Sequence, residues 1–330
     1  MSINAATELA TTPPDPRRTQ TLLAALPIAC LLALVVTFGL LSPRFLTLTN
    51  LAAILLQATS LIVVALGMNF VLLTAGVDLS VGSAMYLAAI TVALGLHDAG
   101  VLAGIAGALA TGALFGAVNA TLIVRLRLPA FIATLAMIFV GRGIGLYLSS
   151  TRIVFAGSAV AEFGRARVLG VPGPLWVAIV AIAVTWVLFA RTPFGPYVRS
   201  VGADSEGARR AGVPTGALLF GVYTLCGACA GLGGFLSLSQ VSAAAGGFGQ
   251  NFEFLAIAAA VLGGTSLFGG RGSFWAPIIG ALLITTVQNG LAMMNANPYA
   301  YPVITGAVIF LAALLDRLRA LGAQRRRTAH

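Results

Sequence analysis

The chain has 330 residues, 59% of them hydrophobic and 8% charged, with a formal net charge of +10 and a mean hydropathy of +0.99. A soluble domain carries roughly 25% charged residues, so this composition excludes a surface that faces water over most of its area, and lipid must take water's place. All nineteen basic residues are arginines in or beside short loops, apart from one inside an apolar run; the positive-inside rule accounts for that pattern and nucleic-acid binding does not.

Residues 1–21 are polar and read as a cytoplasmic tail. The apolar run 22–41 is too long for a signal h-region, so it is expected to persist as the first membrane helix. A second charge-free run, apart from Arg44 before it, extends over 45–77. At 1.5 Å per residue it would make a helix of about 50 Å, longer than the bilayer core, which predicts a tilt or a break near Gln57, Gly67 or Asn69. Further spans are predicted at 79–96, 99–124 and 128–150, the last carrying Arg142. A polar stretch rich in Pro and Gly, 151–174, precedes a sixth span at 175–190. Residues 191–213 then concentrate Arg191, Arg199, Asp204, Glu206, Arg209 and Arg210. Spans at 215–239, 254–268, 274–294 and 301–315 follow, and 319–330 is a basic tail.

The expected fold is therefore all-α, a polytopic membrane domain over 22–318 with about ten transmembrane helices. With both termini cytoplasmic, fourteen arginines fall inside, four outside and one in the membrane; inversion would reverse the bias. Small residues four apart, at Gly112/Gly116, Gly141/Gly145 and Gly227/Gly231, predict close helix packing. The segments 70–90 and 256–280 share an apolar run, a Gly-rich break and a second apolar run, the trace an internal repeat would leave.

Gly264 to Gly269 has P-loop spacing, but Gly270 and Arg271 stand where the loop requires Lys and then Ser or Thr. No cofactor is expected in this chain, and ATP-driven work would need a partner. Cys226 and Cys229 form a C-x-x-C, yet His97 and His330 are remote, so neither a zinc set nor a catalytic His cluster is legible.

Two segments carry positive signals. In Gly76-Val-Asp-Leu-Ser-Val-Gly-Ser83 the glycines break a helix, and Asp78 or Ser80 is expected to cap the next one. A helix N-terminus at membrane depth also offers donors to a polar solute. In 201–213, Asp204 or Ser205 is expected to cap a short helix, with Glu206 in its first turn, Arg209 and Arg210 toward its end, and Gly212 terminating it. Such a helix suits docking on a soluble partner. Polar residues inside apolar runs add Gln57, Asn69, Asn119, Gln288 and Asn289 as candidates for a translocation path beside Asp78 and Ser80.

Ser42-Pro-Arg-Phe-Leu-Thr47, Gly76 to Ser83, Phe131-Ile-Ala-Thr-Leu135 and Leu262-Gly-Gly-Thr-Ser-Leu-Phe-Gly-Gly-Arg-Gly272 together resemble the permease subunits of ribose/xylose-type ABC sugar importers, in order from about 22 to 318. Glu206-Gly207-Ala208-x3-Gly212 is similar to the coupling loop of ABC permeases, departing at Gly207, where alanine is usual. The resemblance implies a second permease chain, a cytoplasmic ABC ATPase that carries the ATP and Mg, a periplasmic sugar-binding protein, and a place in the bacterial inner membrane. Within that class a branched-chain amino-acid permease is the alternative. An ion-coupled secondary transporter is the rival outside it, with Arg142, Glu253 and Asp78 as its few intramembrane ionisable groups.

Overall fold

The computed structural model describes residues 16–297 together with 303, 306, 307 and 310. Twelve α-helices are present among them. They are α1 (Pro16–Leu41), α2 (Leu48–Leu73), α3 (Val81–Ile90, prolonged by a π-helical turn Thr91–Gly95), α4 (Gly100–Val124), α5 (Ala130–Ser149) and α6 (Ser158–Arg165). After them come α7 (Gly173–Arg191), α8 (Phe194–Ala203), α9 (Ser205–Arg210), α10 (Thr215–Val241), α11 (Phe252–Leu262) and α12 (Ala276–Met293). Among the described residues six helices, α2, α4, α5, α7, α10 and α12, are long and apolar enough to cross a membrane; Ala25–Leu41, Val81–Gly95 and Phe252–Leu262 are shorter apolar helices. The span expected at 301–315 and both tails lie largely outside the described residues.

The expected break in the second span is not at Gln57, Gly67 or Asn69. All three belong to one continuous helix of 26 residues, about 39 Å long. The 33-residue run is shortened at its ends instead. Thr47 caps α2 by accepting from the Asn50 N–H at 3.4 Å, and the chain leaves the helix after Leu73 into a turn in which Ala75 has φ +59°. The eighth span is also shorter than expected, 11 residues or about 16 Å, because a Gly-rich loop begins at Gly263. Besides helices there are two antiparallel pairs of two-residue strands, Val154–Phe155 with Ala243–Ala244 and Arg167–Val168 with Val171–Pro172.

A helix that is apolar all round belongs in an interior. α2 meets that condition from Ala58 to Leu73, where every residue is buried. It packs on α10, and α10 crosses α4 at glycines. A Cβ at Gly112 would strike the Gly227 carbonyl oxygen, and one at Gly227 would strike the Gly112 carbonyl oxygen. The paired glycines thus let two backbones touch. The other two pairings differ in partner: Gly141 makes room for the Phe115 ring and Gly145 for Tyr86.

Candidate coupling and translocation site

The 191–213 segment folds as two short helices at one end of the bundle. Asp204 caps α9, its Oδ1 accepting from the Glu206 and Gly207 N–H groups at 3.1 and 3.0 Å. Gly212, at φ +86°, closes it in the left-handed region that glycine favours. Of the two expected caps, the carboxylate serves and Ser205 is the first helical residue. Glu206 pairs with Arg209 at 2.9 Å and with Arg210 at 3.2 Å, both about one turn further along the same exposed surface. Hydrogen bonds from Arg209 and then Arg210 hold the Glu206 carboxyl below its usual range, and the same contact raises Arg209. Ala208 faces inward and is buried. Gly207, the departure from the related loops, has a local reason: a Cβ there would lie 2.5 Å from the Asp204 Oδ2 that belongs to the cap.

α9 is joined to the bundle through α8. Val198 and Val201 are buried, and the Arg199 guanidinium lies 4.7 Å from the centre of the Phe189 ring on α7. The end of α8 meets the end of α2 and the loop after α11. Gly202 leaves no space between its Cα and the Leu73 carbonyl, and the Gly270 N–H donates to that same carbonyl at 3.0 Å. One turn earlier on α2, Asn69 is fully buried; its Oδ1 accepts from the Thr265 hydroxyl at 2.6 Å and its Nδ2 donates to the Ser273 carbonyl at 3.3 Å. Three segments remote in sequence are tied together here.

Asp78, Ser80 and Asn119 form a second polar cluster. The Asp78 Oδ1 accepts from the Ser80 N–H at 2.9 Å and from its hydroxyl at 2.7 Å. The Asn119 Nδ2 on α4 donates to the Ser80 Oγ at 2.7 Å. Neither Asp78 nor Ser80 caps α3 through its side chain, contrary to expectation; the Asp78 carboxylate is taken up by Ser80, the residue just before the helix. All three residues are buried, and the Asn119 Oδ1 is a buried acceptor without a partner among the described residues. Tyr223 abuts Gly76, so α10 completes the wall.

The remaining path candidates do not join this cluster. Asn289 is buried and accepts from the Asn50 Nδ2 at 3.0 Å, bridging α12 and α2, while Gln288 beside it is half-buried. Gln57 is exposed.

A third polar centre was visible in the sequence only as a lone charge. Arg142, half-way along α5, donates from one Nη to the Gly246 carbonyl at 2.9 Å and to the Phe248 carbonyl at 2.6 Å, and its guanidinium stacks 5.1 Å from the Tyr86 ring centre. The connection between α10 and α11 therefore dips back into the bundle. It also brings the buried Glu253 against Gly82, at the start of α3. Partners that are backbone carbonyls leave no mark in side-chain chemistry, so no motif signals this contact.

The family described as "Branched-chain amino acid transport system / permease component" matches residues 50–313. The ribose import permease protein of Escherichia coli (strain K12) is 36% identical over 295 residues, 88% of this chain and 92% of that protein. The ribose import permease protein of Bacillus subtilis (strain 168) is 37% identical over 297 residues, again 88% and 92%. The D-allose transport system permease protein of Escherichia coli (strain K12) is 36% identical over 294 residues, 87% and 90%. No solved structure matches the chain significantly. These relatives agree with the resemblance drawn from the motifs, and the matched region takes in both polar clusters and α9. The chain therefore belongs to this family of membrane permeases.

Proposed function

We propose that this chain is the multi-pass inner-membrane subunit of an ATP-driven ABC importer and that it carries a monosaccharide such as a pentose or hexose. A periplasmic binding protein delivers the sugar, a cytoplasmic ABC ATPase supplies the energy with its own ATP and Mg, and two permease chains enclose the path. The family's description names an amino-acid system, but the sugar names of the relatives, ribose and D-allose, favour a sugar cargo over an amino acid. Ten spans with both termini inside remain the arrangement that suits the arginine distribution, with α9 and the loop after α11 on the cytoplasmic face.

The observation that carries the coupling part is the mechanical link from α9 through α8 to the end of α2. Asp204, Glu206, Gly207, Ala208, Arg209, Arg210 and Gly212 build a capped, charged helix that presents Glu206 and both arginines outward. A push on α9 reaches the Leu73 carbonyl through Gly202, and with it Gly270 and the Asn69–Thr265 contact. Asn69, Asp78, Ser80 and Asn119 then bound the polar interior along which a sugar would pass, Asn289 and Gln288 lying on α12. In this conformation Asn69, Asp78, Ser80 and Asn119 are closed off from solvent, so passage needs the segments they tie together to part.

Charges at a docking surface set orientation and register more than affinity. Glu206→Arg and Arg209→Glu, reconstituted in vesicles with the ATPase and the binding protein, should insert normally but lose substrate-stimulated ATP hydrolysis and sugar uptake. Wild-type stimulation and uptake in both variants would reduce α9 to a connector.

A further inference from the structure

In the N-in, C-in arrangement α11 runs inward from Phe252 to Leu262 over about 16 Å, half of a ~30 Å hydrocarbon core. The segment 245–251 must therefore descend to about mid-depth from Ala243–Ala244, which pairs with Val154–Phe155 of the outer connection. It is not helical, and none of its residues is fully buried. Irregular backbone at that depth is tolerated only against protein or where it lines a water-filled cavity. Its inner side meets the start of α3: a Cβ at Gly82 would strike the Gly249 carbonyl oxygen, and one at Gly249 would crowd the Gly82 carbonyl oxygen. Gly82 is two residues past Ser80, and Asp78, Ser80 and Asn119 are all buried beneath this contact. The segment thus stands between the polar cluster and the outer face.

We propose that 245–251 is the outer gate of the translocation path, and that Arg142 is the positioning residue that holds it shut over Asp78, Ser80 and Asn119. The proposal rests on the reading of the chain as a sugar permease. The segment is tied to α5 by the Arg142 hydrogen bonds to the Gly246 and Phe248 carbonyls. Its other backbone hydrogen bonds among the described residues stay within the segment or run into the first turn of α11. Gly246, Gly247 and Gly249 bring no side chains to anchor it, so it can part from α3 without breaking a helical ladder, as α2 and α10 cannot. Both Arg142 acceptors are neutral, and no carboxylate pairs with its guanidinium among the described residues. Water entering from outside can take over those carbonyls, which makes the contact releasable.

The test is Ser80→Cys in a chain whose Cys30, Cys226 and Cys229 are changed to Ala, assembled with its ATPase and exposed to a small membrane-impermeant methanethiosulfonate from one side at a time. Adding Arg142→Leu should speed labelling from the outer side about tenfold or more and leave the inner side unchanged, with Arg142→Lys between. Equal outer rates with and without Arg142, or an equal rise from both sides, would overturn the gate. A reversible lock decides the matter if Arg142→Leu does not fold. A Cβ at Gly246 lies 3.1 Å from the Leu146 Cδ2 on α5, so Leu146→Cys with Gly246→Cys in the same background can be joined by oxidation. Sugar uptake should then fall about tenfold or more and return on reduction, since a held gate limits turnover. Undiminished uptake by the fully linked pair would overturn the gate and leave the transport reading standing. Failure of the wild-type assembly to take up any monosaccharide counts against the transport reading, and the labelling arm still decides the gate.

Discussion

Gly227→Ala should destabilise the bundle, while the same change six residues earlier on the same helix, Gly221→Ala, should not. An added Cβ at Gly227 lies 2.7 Å from the Gly116 Cα and nitrogen, where ordinary contact begins at 3.4 Å, and closer still to the Gly112 carbonyl oxygen. The backbones of α4 and α10 must then part by at least about 0.7 Å, since packed backbone has no side-chain freedom with which to absorb the atom. Overpacking of this kind costs about 1–3 kcal/mol. Alanine recovers about 0.8–1 kcal/mol of helix propensity over glycine. At Gly221 the nearest atom to a Cβ is the edge of the Phe194 ring at 3.4 Å, so only the propensity gain applies. The two variants should therefore differ by about 1–3 kcal/mol, with Gly227→Ala the weaker. Thermal denaturation of each in the same detergent, followed by size-exclusion of the surviving fraction, measures the order. Equal midpoints, or a higher midpoint for Gly227→Ala, would refute the close crossing.

Arg142→Leu should free the segment between α10 and α11, because the Gly246 and Phe248 carbonyls lose their donor at about 1–3 kcal/mol each; hydrogen exchange over 245–251 should rise tenfold or more, and Arg142→Lys, with one compact donor group in place of a fork, should fall between. No change in exchange would mean that the segment is held by other contacts. Glu206 should titrate below its ordinary value of 4.5, since its folded carboxyl is held down by Arg209 and Arg210. Its contribution to α9 is then fully present above that ordinary value and is lost as pH falls through the lower folded value. A 13C titration of the Glu206 carboxyl checks this, and an unshifted curve that stays unshifted in Arg209→Glu would remove the ion pairs from the account.

Much of this protein is written in local chemistry. Apolar runs between arginine loops determine that the chain lives in a bilayer, because lipid forces each span to satisfy its own backbone. The cap at Asp204, the acid-then-base order of Glu206, Arg209 and Arg210, and the stop at Gly212 lie within nine residues, so α9 follows from its sequence alone. Glycines four apart likewise announce close packing. Which faces meet is another matter. That Gly112 opposes Gly227 while Gly141 receives Phe115 depends on the relative rotation of whole helices, which no local pattern encodes. The same holds for the polar residues. Asn69, Asn119, Asn289 and Gln57 look alike in sequence, each an amide set among apolar residues. Tertiary packing gave the first three partners on other segments and left Gln57 facing outward. The dip of 245–251 toward Arg142 and the meeting of Leu73, Gly202 and Gly270 rest on backbone carbonyls and close approach. Every residue carries the same carbonyl, so only the folded arrangement decides which ones are used.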